Sequence, residues 1–299
     1  MTRHTTIALA TATAAVLALS ACGGGSSSTT NDKPGAGKQQ VDKALAAKVP
    51  AAIKSDGTIT IGVDSTYAPS EFVDTDGKTV IGFDVDLFNA VAAKLGLKTK
   101  WVKAPFDSII IGVNSGKYEI GVSSFTIRSD REKQANMISY FNAGTQWATK
   151  KGDPTKITPN NACGHKVAVQ KATVQVDDLT ARSKKCTDAG KSALTIDQYT
   201  GQDEATAAVV SGKDDAMLAD SPVCAYAVKQ AKGQLELLGN IYDSAPYGYV
   251  VSKKQTAFAD AISKAVQELI GSGDYQKALA KWGVTKGAIT QSEVNPSVG

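Results

Sequence analysis

Residues 82–96, GFDVDLFNAVAAKLG, decide how this chain is read. Asp84 stands as a candidate N-cap. Leu87, Phe88, Val91 and Leu95 then recur at three- and four-residue spacings and share one face, and Gly96 supplies a stop, so the stretch predicts an amphipathic helix. Its flanks are strand-like. TITIGVD (58–64) alternates apolar and polar residues, and KTKWVKA (98–104) also reads as a strand. FDSIIIGVNSGK (106–117) reads as a helix and YEIGVSSF (118–125) as a strand again. This succession predicts an α/β unit with a mostly parallel sheet.

After a turn-rich stretch, KKGDPTKITPNNACG (150–164), the alternation restarts. KVAVQ, SALTIDQY, DAMLAD and LELLGN are strand-like, and the segments between them, TVQVDDLTARSKK, DEATAAVVSGK and SPVCAYAVKQAK, are helix-like. A second α/β unit follows from that pattern. Past YGYVVSKK (247–254) come two further helical segments ending near residue 283. A chain of 299 residues, 42% apolar and 21% charged, can bury such units without metals or dense disulfides. Its formal charge of +4 is spread along the chain with no basic stripe, which argues against nucleic acid as a partner.

The N-terminus has the layout of an export leader: Arg3 in a short polar segment, then an apolar run too short for a comfortable membrane span. Leu19-Ser20-Ala21-Cys22 resembles a bacterial lipobox, which implies lipidation of Cys22 and a mature chain beginning there. A Gly/Ser-rich segment follows and reads as a tether. Of the remaining cysteines, Cys163 and Cys186 lie in one region and Cys224 apart. In an oxidising compartment the pairing Cys163–Cys186 is expected, with Cys224 a buried thiol; three reduced thiols is the alternative.

The sequence as a whole resembles the type 3 family of bacterial extracellular solute-binding proteins. IGVDSTYAPSEF (from Ile61), the helix signature from Gly82, PFDSIIIGVNSGKYEIGVSSFTIRSDREK (from Pro105), GHKVAVQKAT (from Gly164), DDAMLADSP (from Asp214) and SGDYQKALAKWG (from Ser272) occur in the family's order and spacing. The resemblance implies a two-lobed α/β fold of the type II periplasmic-binding-protein kind, with a hinged inter-lobe cleft. The expected organisation is a lipoprotein signal peptide at 1–21, a lipid-anchored tether at 22–50, a first lobe at 51–146 completed by 246–299, and a second lobe at 147–245. Crossings between lobes are expected near residues 143–150 and 245–251. It also implies an amino-acid ligand, an ABC permease and ATPase as partners, attachment to the outer face of the cell membrane, a monomer, and no cofactor.

An amino acid brings a carboxylate and an ammonium, and a dry cleft must pair both. The family's ligand-binding Arg falls on Arg131, a planar bidentate donor. Arg128 nearby stands where the family usually has Thr and reads as a solvated charge. Ser124 and Thr126 match hydrogen-bonding positions of the first lobe. Thr173, at a helix start, should bring a hydroxyl and helix amides to the same carboxylate. Asp220 matches the ammonium-binding Asp, and could also cap the following helix. Tyr67 and Phe106 match aromatic walls, Phe106 with a core role as the alternative. Asp64 matches an acidic position facing a polar or cationic side chain, with a solvated strand end as the alternative. The sequence departs from the family at Ala172, where Gly is common, and at Ser70 and Val174, while Gln170 occupies a position that varies with ligand.

Two other classes fit less of the sequence. A secreted enzyme on the same fold, such as a dehydratase, would have a single histidine, His165, in the mature chain, which leaves no multi-histidine metal site and one candidate base, with carboxylate-only catalysis by Asp64 and Asp220 across the cleft as its other route. A sensory ligand-binding lobe would need a separate signalling partner. No GxxxxGK loop is present, so ATP hydrolysis belongs to another chain.

Overall fold

The computed structural model describes residues 40–297. The expected leader, the lipidation at Cys22 and most of the tether lie outside those residues. The last residues of the stretch expected as tether, 22–50, are structured. Lys43–Ala46 form a short helix, α1, capped by the Asp42 carboxylate on the Leu45 N–H, and Leu45 and Val49 are buried in the main core. Two apolar side chains with a core to enter outweigh the polar composition around them.

Helix α2 (Ala51–Asp56) leads into β1 (Thr58–Val63). Three short strands, β2 (Thr66–Tyr67), β3 (Glu71–Val73) and β4 (Val80–Ile81), then form a small antiparallel sheet that sequence patterning does not reveal. Helix α3 (Phe83–Lys94) buries Leu87, Phe88 and Val91, as its spacing predicts. It starts two residues earlier than expected, however, with Gly82 at the N-cap and Asp84 inside the first turn. Gly82 has φ 142°, and a Cβ there would meet the Ser70 carbonyl oxygen at 2.0 Å, so no other residue fits. Asp84 is buried and bonds to Ser124 and Tyr140 instead of capping.

The remaining elements are β5 (Lys98–Lys103), α4 (Phe106–Asn114), β6 (Ile120–Thr126), α5 (Ser129–Gln134), β7 (Ala135–Lys150), β8 (Lys166–Gln170), α6 (Val174–Asp188), β9 (Thr195–Tyr199), α7 (Gln202–Ser211), β10 (Ala216–Asp220), α8 (Ser221–Gln230), β11 (Leu235–Ser252), α9 (Thr256–Ser272) and α10 (Asp274–Trp282). One eight-stranded sheet runs β5-β1-β6-β11-β7-β10-β8-β9. Its outer triplets, β5-β1-β6 and β10-β8-β9, are parallel. The long central strands β7 and β11 are antiparallel to each other, β11 is antiparallel to β6 and β7 to β10, so parallel triplets are joined through an antiparallel pair and the sheet as a whole is mixed.

That central pair joins the two halves. Near one end β11 pairs with β6 through Tyr247 and Gly248, and near the other β7 pairs with β10 through residues 145–149. The changeover lies at Ala143–Thr145 on β7 and Tyr242–Ala245 on β11, where the ladder also loses register. Separate cores flank the crossing. One gathers Phe83, Phe88, Tyr140, Tyr249 and the apolar faces of α9 and α10. The others, on the far side, gather Met217, Val223 and Leu235, and Trp147, Val167 and Leu218. Cys163 and Cys186 form the expected disulfide, with Cα atoms 5.6 Å apart, and Cys224 is free and buried.

Candidate ligand-binding site

Parallel strands leave their carboxyl ends open to a crevice, and here β1, β6, β8 and β10 all end at the same one. Asp64 follows β1, Ser124 and Thr126 close β6, and Asp220 closes β10. Phe106 opens α4, Arg131 sits on the short α5, and Thr173 is the N-cap of α6. All eight residues expected from the sequence line one cavity, together with Ser123, Gln170 and Gln175.

The electrostatics are unusual for a buried region. Arg131 is 7% exposed and donates to the Thr126 and Ala172 carbonyls at 2.9 and 3.0 Å. Its guanidinium lies 5.4 Å from the Phe106 ring and 5.7 Å from that of Phe125, and Phe106 stacks on Phe125 at 4.6 Å. Burial, helped by Arg128, lowers its pKa to about 10, which still leaves it charged at neutral pH. Asp220 is 6% exposed and accepts from the Tyr67 hydroxyl, the Tyr247 hydroxyl and the Gln175 amide, each at 2.8 Å. Burial pushes its carboxyl upward, against the pull of these donors and of Arg131. Among the described residues neither Arg131 nor Asp220 enters an ion pair. Asp220 occupies the N-cap position of α8, yet its side chain makes no capping bond and faces the cavity.

Asp64, at 3% exposed, is not a solvated strand end. Its carboxylate accepts from Thr66 N–H and Oγ1, from Phe106 N–H and from Gln170 Nε2, while burial raises its pKa. Phe106 serves both core and cavity wall. The Thr173 hydroxyl donates to the Gln170 carbonyl at 2.8 Å.

Several of these contacts cross the cleft. Tyr67 reaches Asp220, Gln170 reaches Asp64, Arg131 reaches the Ala172 carbonyl, and the Thr66 hydroxyl accepts from Gln202 N–H. At the rim, Arg128 pairs with Asp177 and Lys171 with Asp107. Exposed pairs of this kind contribute at most about 1 kcal/mol each.

Sequence reasoning missed Ser123, Gln175 and Tyr247. Neighbouring strand residues ordinarily face opposite sides. Ser124 has φ 49°, which breaks the alternation and lets Ser123 and Ser124 line the same cavity. Tyr247 comes from a strand 27 positions beyond its carboxylate partner, and no local motif announces it. His165 binds Asp215 at 3.0 Å and is not among the cavity's lining residues.

One cleft at the carboxyl ends of two parallel triplets thus holds both a buried cation, Arg131, and a buried anion, Asp220. The chain belongs to the bacterial extracellular solute-binding proteins, family 3, whose family model matches residues 59–285. It is 37% identical to the arginine-binding protein ArgT of Corynebacterium glutamicum over 252 residues, 84% of this chain and 82% of that relative. Among solved structures, an ancestral arginine-binding protein bound to arginine superposes with a TM-score of 0.70 at 32% identity, over 76% of this chain and 98% of the other. An ancestral amino acid-binding protein described as a precursor of cyclohexadienyl dehydratase superposes with a TM-score of 0.69 at 31% identity, over 77% and 97%.

Proposed function

We propose that this chain is the substrate-binding component of an ABC importer for a cationic or polar amino acid, working outside the cytoplasm. The observation that carries the reading is the pair Arg131 and Asp220, two desolvated charges on opposite sides of one cavity. A lone buried charge is very costly, and an amino acid's carboxylate and ammonium would pair both at once. Arg131 takes the carboxylate, with the N-terminus of α6 at Thr173 behind it. Asp220 takes the ammonium. Asp64 and Gln170, with Tyr67 and Phe106 as walls, are left to meet the side chain, and the arginine-binding relatives support a cationic one.

In this reading residues 51–146 and 246–299 form one lobe and 147–245 the other, with Ala143–Thr145 and Tyr242–Ala245 as the hinge. The Cys22 anchor holds the protein at the outer face of the membrane as a monomer, beside a permease and its ATPase. No described helix is long and apolar enough to cross a membrane. The chain binds its ligand without converting it: its relatives are named as binding proteins, and its mature-chain histidine is not among the cavity's lining residues.

A thermal-shift screen of the twenty amino acids plus ornithine, followed by calorimetry, tests the function, because a tight ligand stabilises by mass action. Arginine, lysine or ornithine should give the largest shift. A screen led by leucine or isoleucine would refute the ligand class, and turnover of any bound compound would refute the non-enzymatic reading.

A further inference from the structure

Behind the cavity wall lie two fully buried carboxylates, Glu71 on β3 and Asp84 on α3. The Ser123 hydroxyl donates to Glu71 Oε1 at 3.1 Å, and the Ser124 hydroxyl lies 3.3 Å from both Glu71 Oε2 and Asp84 Oδ2. The two acids therefore meet over one hydroxyl. Asp84 Oδ2 also accepts from Ser124 N–H at 3.2 Å and from the Tyr140 hydroxyl. Asp64, beyond β1, and Tyr249, on β11, also face this pair, and neither brings a positive charge. Among the described residues no Lys, Arg or His is ion-paired with either acid. Two carboxylates this close, dry and without a cation, cannot both ionise.

We propose that Glu71 and Asp84 retain one proton between them and act as positioning residues, drawing the hydroxyl protons of Ser123 and Ser124 away from the cavity so that this wall offers only hydrogen-bond acceptors. A serine hydroxyl has one proton and two lone pairs. Once the proton is committed to the acid pair, the lone pairs are what remain for the cavity that Ser123 and Ser124 line. One lone pair of Ser123 already accepts the Asp64 N–H at 3.0 Å. With the Asp64 carboxylate beside it, such a wall suits a guanidinium or ammonium, which only donates, and disfavours a group that must accept. Burial raises both carboxyls, Glu71 well above its usual range and Asp84 to about 6, in keeping with one proton held by the pair. The inference deepens the cationic-ligand reading and rests on it.

The test compares L-arginine with L-citrulline, its neutral isostere, which carries a carbonyl where arginine has a nitrogen donor. Calorimetry of the wild-type protein should favour arginine by about a hundredfold or more, as a donor-specific site rejects an analogue that lacks the donor. Glu71→Met removes the acceptor that holds the Ser123 proton, and that preference should fall by about tenfold or more. Glu71→Gln keeps a carbonyl for Ser123 and an N–H toward Asp84, and should retain the preference to within about threefold. Infrared spectra need no disruptive variant: wild type at neutral pH should show a protonated carboxyl band that Glu71→Gln lacks. Absence of that band, a Met variant weakened equally toward both ligands, or a wild type that binds arginine tightly without rejecting citrulline would each overturn this proposal alone. A wild type that binds neither ligand would overturn the cationic-ligand reading and this proposal with it.

Discussion

At the scale of single residues, the proposed recognition of an amino acid rests on buried charges that lack a charged partner. Asp220→Asn keeps the shape of the side chain and removes its charge, and Arg131→Ala removes the opposite one. Each should weaken amino-acid binding by about 2–5 kcal/mol, the cost of leaving one ligand charge unpaired in a dry site, and calorimetry on folded variants checks it. Asp84 gives a second expectation. Its folded-state pKa is raised to about 6 from 3.8 by burial, so the folded protein holds more protons there than the unfolded chain between those values. The stability advantage of wild type over Asp84→Asn should therefore be greatest at low pH and be lost as pH rises through about 6. Urea denaturation of both proteins at several pH values reads this difference directly. Much of the cavity was legible in the sequence because charges and hydroxyls in family spacing mark it. Ser123 was not, because the positive φ of Ser124 that redirects both side chains leaves no trace in composition. Ala172 shows the reverse. It takes φ 63°, the conformation that explains why Gly is common at that position in the family.

At the scale of elements, helices and strands were predictable where a period was long enough to read, as in α3 and β1. The strands β2, β3 and β4, each two or three residues long, were not, since so short a run has no period. The mixed sheet was also hidden. Strand direction follows from where β7 and β11 return across the whole sheet, which local alternation does not encode. The disulfide gives an expectation at this scale. It closes a loop with a sequence separation of 23 in the second half of the molecule, and neither cysteine lines the cavity. Replacing Cys163 and Cys186 with serine should cost about 3 kcal/mol of stability in the chain-entropy model. Ligand affinity should stay near wild type. Denaturation curves with parallel calorimetry would show both, and a collapse of affinity at unchanged stability would mean that the bridge shapes the cleft itself.

At the scale of the whole molecule, the separation of contacts supports closure on a ligand as the proposed mechanism. Arg131, Thr126 and Asp64 stand on one side of the crossing strands, and Asp220, Thr173 and Gln170 on the other. In the proposed binding mode neither half alone pairs both charges of an amino acid, so the ligand should favour the closed arrangement, and only that difference in affinity can shift the population. Moving the equilibrium from 1:99 to 99:1 takes about 5.5 kcal/mol of differential binding. Small-angle scattering should show a smaller radius of gyration on adding saturating arginine, and an unchanged radius beside proven tight binding would rule out the hinge. The most direct measurement is a crystal structure with L-arginine. The carboxylate should lie on Arg131, the ammonium on Asp220, and the guanidinium should be directed toward Asp64, Ser123 and Ser124. Arginine bound in the reverse orientation, or outside this cavity, would contradict it.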